Sequence, residues 1–196
     1  LKVHKPNERQ YSARIPALPG IEVIFQRATD VLHKVHDGTL DMGITGFDIT
    51  SEYTGASDDV LVIRKLGFGG ADLVIAVPES WLDVGSVADL ADLAMLYKEK
   101  GRKLRVASTF HNLTRNWLFK KGITNFTLVN ADGALEVAPR MGYADIIADL
   151  TATGTTLREN RLKEIRGGTI LESEACLICN CRQLEAHPGK LARVKQ

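Results

Sequence analysis

Short apolar runs alternate with amphipathic stretches along most of this chain. Residues 71–78, ADLVIAVP, are an apolar run that ends at a proline, which is typical of a buried strand. Residues 86–101, SVADLADLAMLYKEKG, follow with a helical pattern, a serine that can cap the start and a glycine at the end. Because such alternation favours crossover connections, the sequence predicts an α/β fold with a mostly parallel sheet and helices on both faces.

The middle of the chain contains a complete series of strands and helices of its own. This series begins near Leu73 and ends near Ile165. We therefore expect two lobes, with residues 1–72 and 166–196 in lobe I and residues 73–165 in lobe II. In two-lobed α/β proteins, ligands bind in the cleft, at the carboxyl ends of strands. A single continuous sheet without a cleft would contradict this interpretation.

Composition and charge exclude several classes of partner. The 196 residues are 44% hydrophobic and 25% charged, as is usual for globular proteins. The formal net charge of +1 creates no overall field that would attract nucleic acid or a membrane surface. No apolar run approaches the roughly 20 residues of a membrane-spanning helix. We therefore expect no nucleic-acid and no membrane partner, and any polyanion must bind at a local site.

The most informative stretch is ADIIADLTATGTTLREN, residues 144–160. An apolar strand enters a loop in which threonines surround Gly154, and a helix is predicted to begin near Thr155. The amide groups at a helix start lack partners and attract anions. Glycine lets a ligand approach the backbone closely, and threonine hydroxyls add donors. The loop therefore predicts a phosphate site, and simple helix capping by threonine is the alternative. The predicted phosphate-binding residues are Thr151, Ala152, Thr153, Gly154, Thr155 and Thr156.

Two acidic residues accompany this loop. Asp149 ends the predicted strand, where its carboxylate could accept hydrogen bonds from a ribose diol or hold a magnesium ion. Glu136 lies one predicted helix earlier. For Glu136 alone, a solvated surface acid is the simpler interpretation.

Three cysteines, Cys176, Cys179 and Cys181, lie close together near the end of the sequence. Their spacing resembles a metal-binding pattern, but a structural zinc ion normally has four ligands. Only His187 lies nearby as a further ligand. We therefore predict three free thiols and no zinc.

Residues 136–157 also form a longer pattern, E-x5-G-x-A-x2-I-x-D-L-x2-T-G-x-T-L. This pattern resembles the signature of the ATP phosphoribosyltransferases, which catalyse the first step of L-histidine biosynthesis. A second segment, DGTLDMGITGFD at residues 37–48, is similar to a D-G-x-x-D-x-G-I-x-G-x-D segment of the same family. The signature positions are filled by Glu136, Gly142, Ala144, Ile147, Asp149, Leu150, Thr153, Gly154, Thr156 and Leu157.

The resemblance implies a two-lobed fold of the type II periplasmic-binding-protein kind. It also implies a magnesium-dependent reaction in which N1 of ATP attacks C1′ of phosphoribosyl pyrophosphate and pyrophosphate leaves. Glu136 and Asp149 would then be catalytic, meeting the ribose hydroxyls or the metal, and residues 151–156 would hold the 5′-phosphate. The positions implied for ATP binding are Arg27, Thr45, Gly46 and Asp48.

Two other classes remain open at this point. A non-catalytic solute-binding or sensor domain can share the bilobal fold, but it should carry an export signal or a DNA-binding region, and neither pattern is visible in the sequence. An ordinary phosphoribosyltransferase has two acids before its loop, whereas Ala148 occupies one of these positions here. We further expect a homo-oligomer, located in the cytoplasm or, in a plant-like source, in a plastid.

Overall fold

Two main β-sheets and seven α-helices organise the described part of the chain, which comprises residues 3, 4, 7, 10–53, 59–131, 133–186 and 189 of a computed structural model. The strands are β1 (Ser12–Arg14), β2 (Glu22–Ile24), β3 (Met42–Gly46), β4 (Val60–Lys65), β5 (Ala71–Pro78), β6 (Leu104–Ser108), β7 (Phe126–Val129), β8 (Ile146–Thr151), β9 (Leu162–Ser173) and β10 (Ala175–Asn180). The α-helices are α1 (Ala28–His36), α2 (Phe47–Tyr53), α3 (Val87–Glu99), α4 (His111–Lys120), α5 (Ala138–Met141), α6 (Thr155–Glu159) and α7 (Cys181–Ala186).

The larger sheet has five strands in the order β7-β6-β8-β5-β9, and the smaller sheet has three in the order β3-β10-β4. In the larger sheet, β6 pairs in parallel with β7 and β8, whereas β5 pairs antiparallel with β8 and β9. The smaller sheet is antiparallel throughout. The prediction of a mostly parallel sheet was therefore wrong, since among the described strands only the pairs of β6 are parallel. The strands by which the chain enters and leaves the larger sheet, β5 and β9, are antiparallel to their neighbours.

Helices cover both faces of the larger sheet, as the sequence predicts. Alternate residues of β5 point to opposite faces, so that Ile75 packs in one core and Ala76 in the other. The first core contains Leu90 of α3 and Leu118 of α4. The second contains Leu157 of α6. This second core fixes α6, and with it the threonine loop, against the middle of the sheet.

The chain passes between the two sheets twice, once between β4 and β5 and once between β9 and β10. The two connections are hydrogen-bonded to each other. The amide of Leu66 donates to the carbonyl of Ala175, and the amide of Gly67 donates to Oε2 of Glu174, each at 2.9 Å. The boundaries predicted near Leu73 and Ile165 fall within β5 and β9, so the crossings lie outside them on both sides.

The smaller sheet packs on α1 through a closely approaching glycine. Val31, Leu32 and Val35 of α1 are buried against the sheet. A Cβ atom added to Gly43 of β3 would overlap Cγ1 of Val31 and would lie 3.1 Å from Cγ2 of Val35. The absence of a side chain at Gly43 therefore sets the distance between helix and sheet.

Replacing Gly43 with alanine should destabilise the protein, because overpacking a close-packed core costs about 1–3 kcal/mol. The free energy of unfolding in urea measures the effect. Gly85→Ala is the matched control, since the nearest atom to its added Cβ, Oδ2 of Asp89, is 4.0 Å away. Equal stabilities of the two variants would contradict the packing described for α1.

The three cysteines carry free thiols, two of them buried in β10. Burial raises the pKa of both the Cys176 and the Cys179 thiol. His187 lies outside the described residues, within which no group of three metal-ligating side chains occurs. The prediction that no zinc is bound stays a prediction. No helix in the described ranges has the length and apolarity needed to cross a membrane.

Candidate functional site

The threonine loop lies at the carboxyl end of β8, between the strand and the first turn of α6. Gly154 precedes the helix in a left-handed conformation, with φ of +68°, which glycine adopts at no steric cost. Its amide donates to Oγ1 of Thr151 at 2.8 Å. The loop is thus closed by its own first threonine, and the first-turn amides of α6 have no partner within the helix.

The remaining hydroxyls of the loop face solvent. Oγ1 of Thr153 and Oγ1 of Thr155 are 2.9 Å apart and share a hydrogen bond. Both residues are exposed, as are Ala152 and Thr156. These groups are therefore free to exchange their mutual contact for a ligand, whereas Thr151 is already engaged in shaping the loop.

An arginine that the sequence interpretation missed completes the loop. Nη2 of Arg158 donates to Oγ1 of Thr155 at 3.2 Å. A Cβ atom added to Gly154 would lie 3.0 Å from Nη1 of Arg158 and 3.3 Å from Oε1 of Glu164. The guanidinium of Arg158 and the carboxylate of Glu164 therefore both lie beside the loop. The only signal of Arg158 in the sequence is its position one helical turn after Gly154.

The two predicted acids lie close enough to interact. Burial raises the pKa of Asp149 to about 6, and the negative charge of Glu136 acts in the same direction against a hydrogen bond from the Leu150 amide. That amide donates to Oδ1 of Asp149 at 2.8 Å. Glu136 lies in a short 3-10 helix over Leu135–Val137. Since a carboxylate with a raised pKa beside a second acid is common at functional sites, the pair is suited to a cation or to hydroxyl donors.

The predicted ATP-binding residues cluster at the end of the smaller sheet. Arg27 precedes α1 and is exposed. Oγ1 of Thr45 donates to the carbonyl of Ala28 at 2.8 Å, and this threonine is buried. Gly46 ends β3 directly before α2. The side chain of Arg27 is therefore accessible, whereas that of Thr45 is engaged within the fold.

Asp48, in the first turn of α2, is held by Ser173 at the end of β9. Oγ of Ser173 donates to Oδ1 of Asp48 at 2.6 Å and accepts from the Asp48 amide at 2.9 Å. Asp48 is only 7% exposed. Its carboxylate therefore fastens the connection between the sheets, and an ATP-binding role for it stays a prediction.

Solved structures define the class of fold. The ATP phosphoribosyl transferase (HisG:HisZ) complex from Thermotoga maritima is similar with a TM-score of 0.71 and 20% identity, over 98% of this chain and 82% of that one. The periplasmic aliphatic sulphonate binding protein SsuA from Escherichia coli is similar with a TM-score of 0.55 and 19% identity, over 88% of this chain and 58% of that one. The predicted two-lobed α/β fold, like that of type II periplasmic binding proteins, is confirmed.

Sequence comparisons define the family. The HisG: ATP phosphoribosyltransferase family model matches residues 27–196. The chloroplastic ATP phosphoribosyltransferase 2 of Arabidopsis thaliana is 43% identical over 199 residues, which cover 100% of this chain and 48% of the relative. The ATP phosphoribosyltransferase of Mesorhizobium japonicum is 41% identical over 177 residues, which cover 89% of this chain and 76% of the relative. The chain belongs to the ATP phosphoribosyltransferase family, and it spans about half the length of its Arabidopsis relatives, at 48% of each.

Proposed function

We propose that this protein is an ATP phosphoribosyltransferase that acts in the first step of L-histidine biosynthesis. In this reaction a bond forms between N1 of adenine and C1′ of the ribose, while the bond from C1′ to the pyrophosphate oxygen breaks and its electron pair leaves with pyrophosphate. The observation that carries the proposal is the complete family signature on a strand–loop–helix unit, with Asp149 and Glu136 beside the loop. Relatives that are 41–43% identical support it.

The reaction requires little acid–base chemistry from the protein. Adenine N1 carries no proton near neutral pH, so no strong general base is needed. The transition state should resemble an oxocarbenium ion, with positive charge on the ribose and negative charge on the departing pyrophosphate. Catalysis is then mostly positioning and charge stabilisation.

Residues 151–156 receive the 5′-phosphate of phosphoribosyl pyrophosphate in this proposal. The exposed hydroxyls of Thr153 and Thr155 and the amides at the start of α6 supply the donors. Thr151 keeps the loop closed through the Gly154 amide. Arg158 adds a positive charge that the family signature does not specify.

Glu136 and Asp149 are assigned to the ribose hydroxyls or to Mg²⁺. Their carboxylate oxygens are the ligand type that Mg²⁺ prefers. Burial above all, and the charge of Glu136 in addition, raise the pKa of Asp149, so a cation would stabilise the ionised carboxylate. The residues present therefore fit the metal. When bound, Mg²⁺ would neutralise part of the charge on pyrophosphate.

ATP is assigned to lobe I, through Arg27, Thr45, Gly46 and Asp48. The proposed lobe I contains the smaller sheet and lobe II the larger sheet, so the boundaries move outward from Leu73 and Ile165 to the crossings near Leu66 and Glu174. We also propose a homo-oligomer, in the cytoplasm or, for a plant-like source, in a plastid. The chloroplastic names of the Arabidopsis relatives support the second location.

An assay of phosphoribosyl-ATP formation by the complete gene product tests the proposal. Product should form only when ATP, phosphoribosyl pyrophosphate and Mg²⁺ are all present. Mass spectrometry identifies the adduct, and pyrophosphate release measures its rate. Binding of either substrate without any turnover would instead favour a non-catalytic binding domain of the same fold, a class that includes the sulphonate-binding neighbour.

A further inference from the structure

Glu52, in the last turn of α2, contacts the start of α4, which packs on the larger sheet. Its Oε1 accepts from the Asn112 amide at 2.8 Å, and its Oε2 accepts from the Leu113 amide at 2.9 Å. Nδ2 of Asn112 also donates to the backbone carbonyl of Glu52 at 3.2 Å. Glu52 is 6% exposed, whereas its partner Asn112 is exposed, so the contact is partly buried. Helix α2 follows β3 of the smaller sheet, and α4 follows β6 of the larger one.

The contact replaces a cap that α4 lacks locally. The residue at the cap position is Phe110, which provides no side-chain hydrogen bond, and the first turn of α4 has no acidic residue. By contrast, α3 is capped by its own Ser86, whose side chain accepts from the Asp89 amide. A carboxylate at a helix start satisfies unpaired amides and is favoured by the helix dipole. A serine at position 110 would provide the same cap without linking the two parts of the molecule.

The other end of α2 is fixed to the connection between the sheets. The amide of Phe47 donates to the carbonyl of Glu174 at 2.9 Å. The amide of Asp48 donates to Oγ of Ser173, also at 2.9 Å. Helix α2 is therefore anchored at the crossing by its first turn and at α4 by its last. A helix held at both ends in this way restricts rotation of one sheet relative to the other.

We propose that Glu52 is a positioning residue that sets the separation of the two lobes. By holding α4, it holds the carboxyl end of β6, which pairs with β8, the strand that leads into the threonine loop. The inference rests on the proposed function, in which phosphoribosyl pyrophosphate binds to lobe II and ATP to lobe I. Loss of Glu52 would leave the ATP site of lobe I and the phosphoribosyl pyrophosphate site of lobe II intact. It would misplace the two bound substrates relative to each other.

Kinetics and calorimetry of Glu52→Ala and Glu52→Gln test this role. Because a misplacement of about 1 Å can cost on the order of a hundredfold in rate, we expect kcat/KM for ATP to fall on the order of tenfold to a hundredfold in Glu52→Ala. The affinity for phosphoribosyl pyrophosphate alone should change by less than about threefold on the same argument. Glu52→Gln keeps one acceptor and should lie between. Glu99→Ala, at the exposed end of α3, is the control and should match the parent.

A distance measurement separates positioning from helix stability. Spin labels at Asp30→Cys on α1 and Lys120→Cys on α4, in a Cys181→Ser background, report the separation of the lobes. Glu52→Ala should broaden this distribution. Adding Phe110→Ser restores a local cap, so it should recover thermal stability while the broad distribution and the low kcat/KM remain.

Two results would overturn the inference. One is an unchanged distance distribution in Glu52→Ala, and the other is full recovery of kcat/KM by Phe110→Ser, which would reduce Glu52 to a helix cap. If Glu52→Ala fails to fold, the distance distribution is measured in Glu52→Gln instead, and an unchanged distribution there would overturn the inference. The distance measurement does not require catalytic activity. An inactive parent would therefore contradict the proposed function, and the distances would still test the role of Glu52.

Discussion

Gly154→Val should weaken binding of phosphoribosyl pyrophosphate by a factor on the order of a hundred or more. The φ angle of +68° disfavours a β-branched residue. The added Cβ would also lie 3.0 Å from Nη1 of Arg158, and its methyl groups would occupy space that a phosphate needs. Each charge-assisted hydrogen bond contributes about 1.5–3 kcal/mol, so losing two accounts for the expected factor.

Isothermal titration calorimetry of a folded, active parent and its variant measures this loss. Affinity for ATP should change far less, because ATP is assigned to the other lobe. Gly142→Val is the matched control, since Gly142 also has a left-handed φ, +78°, but would have no atom within 4 Å of its added Cβ. Unchanged affinity of Gly154→Val for phosphoribosyl pyrophosphate would show that the loop is only a helix cap.

Asp149→Asn should remove most activity and yet raise stability at pH 8. The folded pKa of about 6 lies above the unfolded value of about 3.9. The folded protein therefore binds this proton more tightly, and the ionised carboxylate opposes folding above about pH 6 but not below about pH 4. After allowing for the partial exposure of the side chain, removal of the charge should stabilise the protein by about 1–2 kcal/mol at pH 8.

Asp145, just before the same strand, is the control, because its pKa is shifted in the opposite direction to that of Asp149. Burial raises the pKa of Asp145, but hydrogen bonds from Arg105 and the nearby charge of Arg102 outweigh it and leave the pKa below its usual value. Its ion pairs measure 2.8 Å to Arg102 and 2.9 Å to Arg105. A lowered pKa contributes stability above the unfolded pKa and loses it as the pH falls through the folded one. Asp145→Asn should therefore destabilise the protein at pH 8.

Urea unfolding between pH 4 and pH 8, together with the phosphoribosyl-ATP assay, compares the two variants. Asp149→Asn should lose its stability advantage as the pH approaches 4. A variant Asp149→Asn that is less stable than the parent at pH 8, or that retains full activity, would contradict the role given to this carboxylate.

Local patterns in the sequence predict the strand–loop–helix unit, because the apolar run of β8 and the turn at Gly154 are encoded by neighbouring residues. The engagement of Asp48 was not predictable in this way. Its partner Ser173 is 125 positions away, and only the assembled fold brings them together. The same holds for Glu52, whose partner Asn112 is 60 positions away. The position of Arg158 depends on side-chain direction, which residue spacing alone leaves undetermined.

The strand order of the smaller sheet has a consequence for synthesis on the ribosome. Strands β3 and β4 do not pair with each other, since β10 lies between them, and β10 is the last strand of the described chain. During vectorial synthesis, the edges of β3 and β4 that pair with β10 therefore stay unpaired until the whole larger sheet has emerged. The larger sheet can close first, because its first and last strands pair directly through Ala71 and Ser173. The larger sheet can thus form before the smaller one, and an unfinished polypeptide exposes edges of β3 and β4 that can pair with other chains.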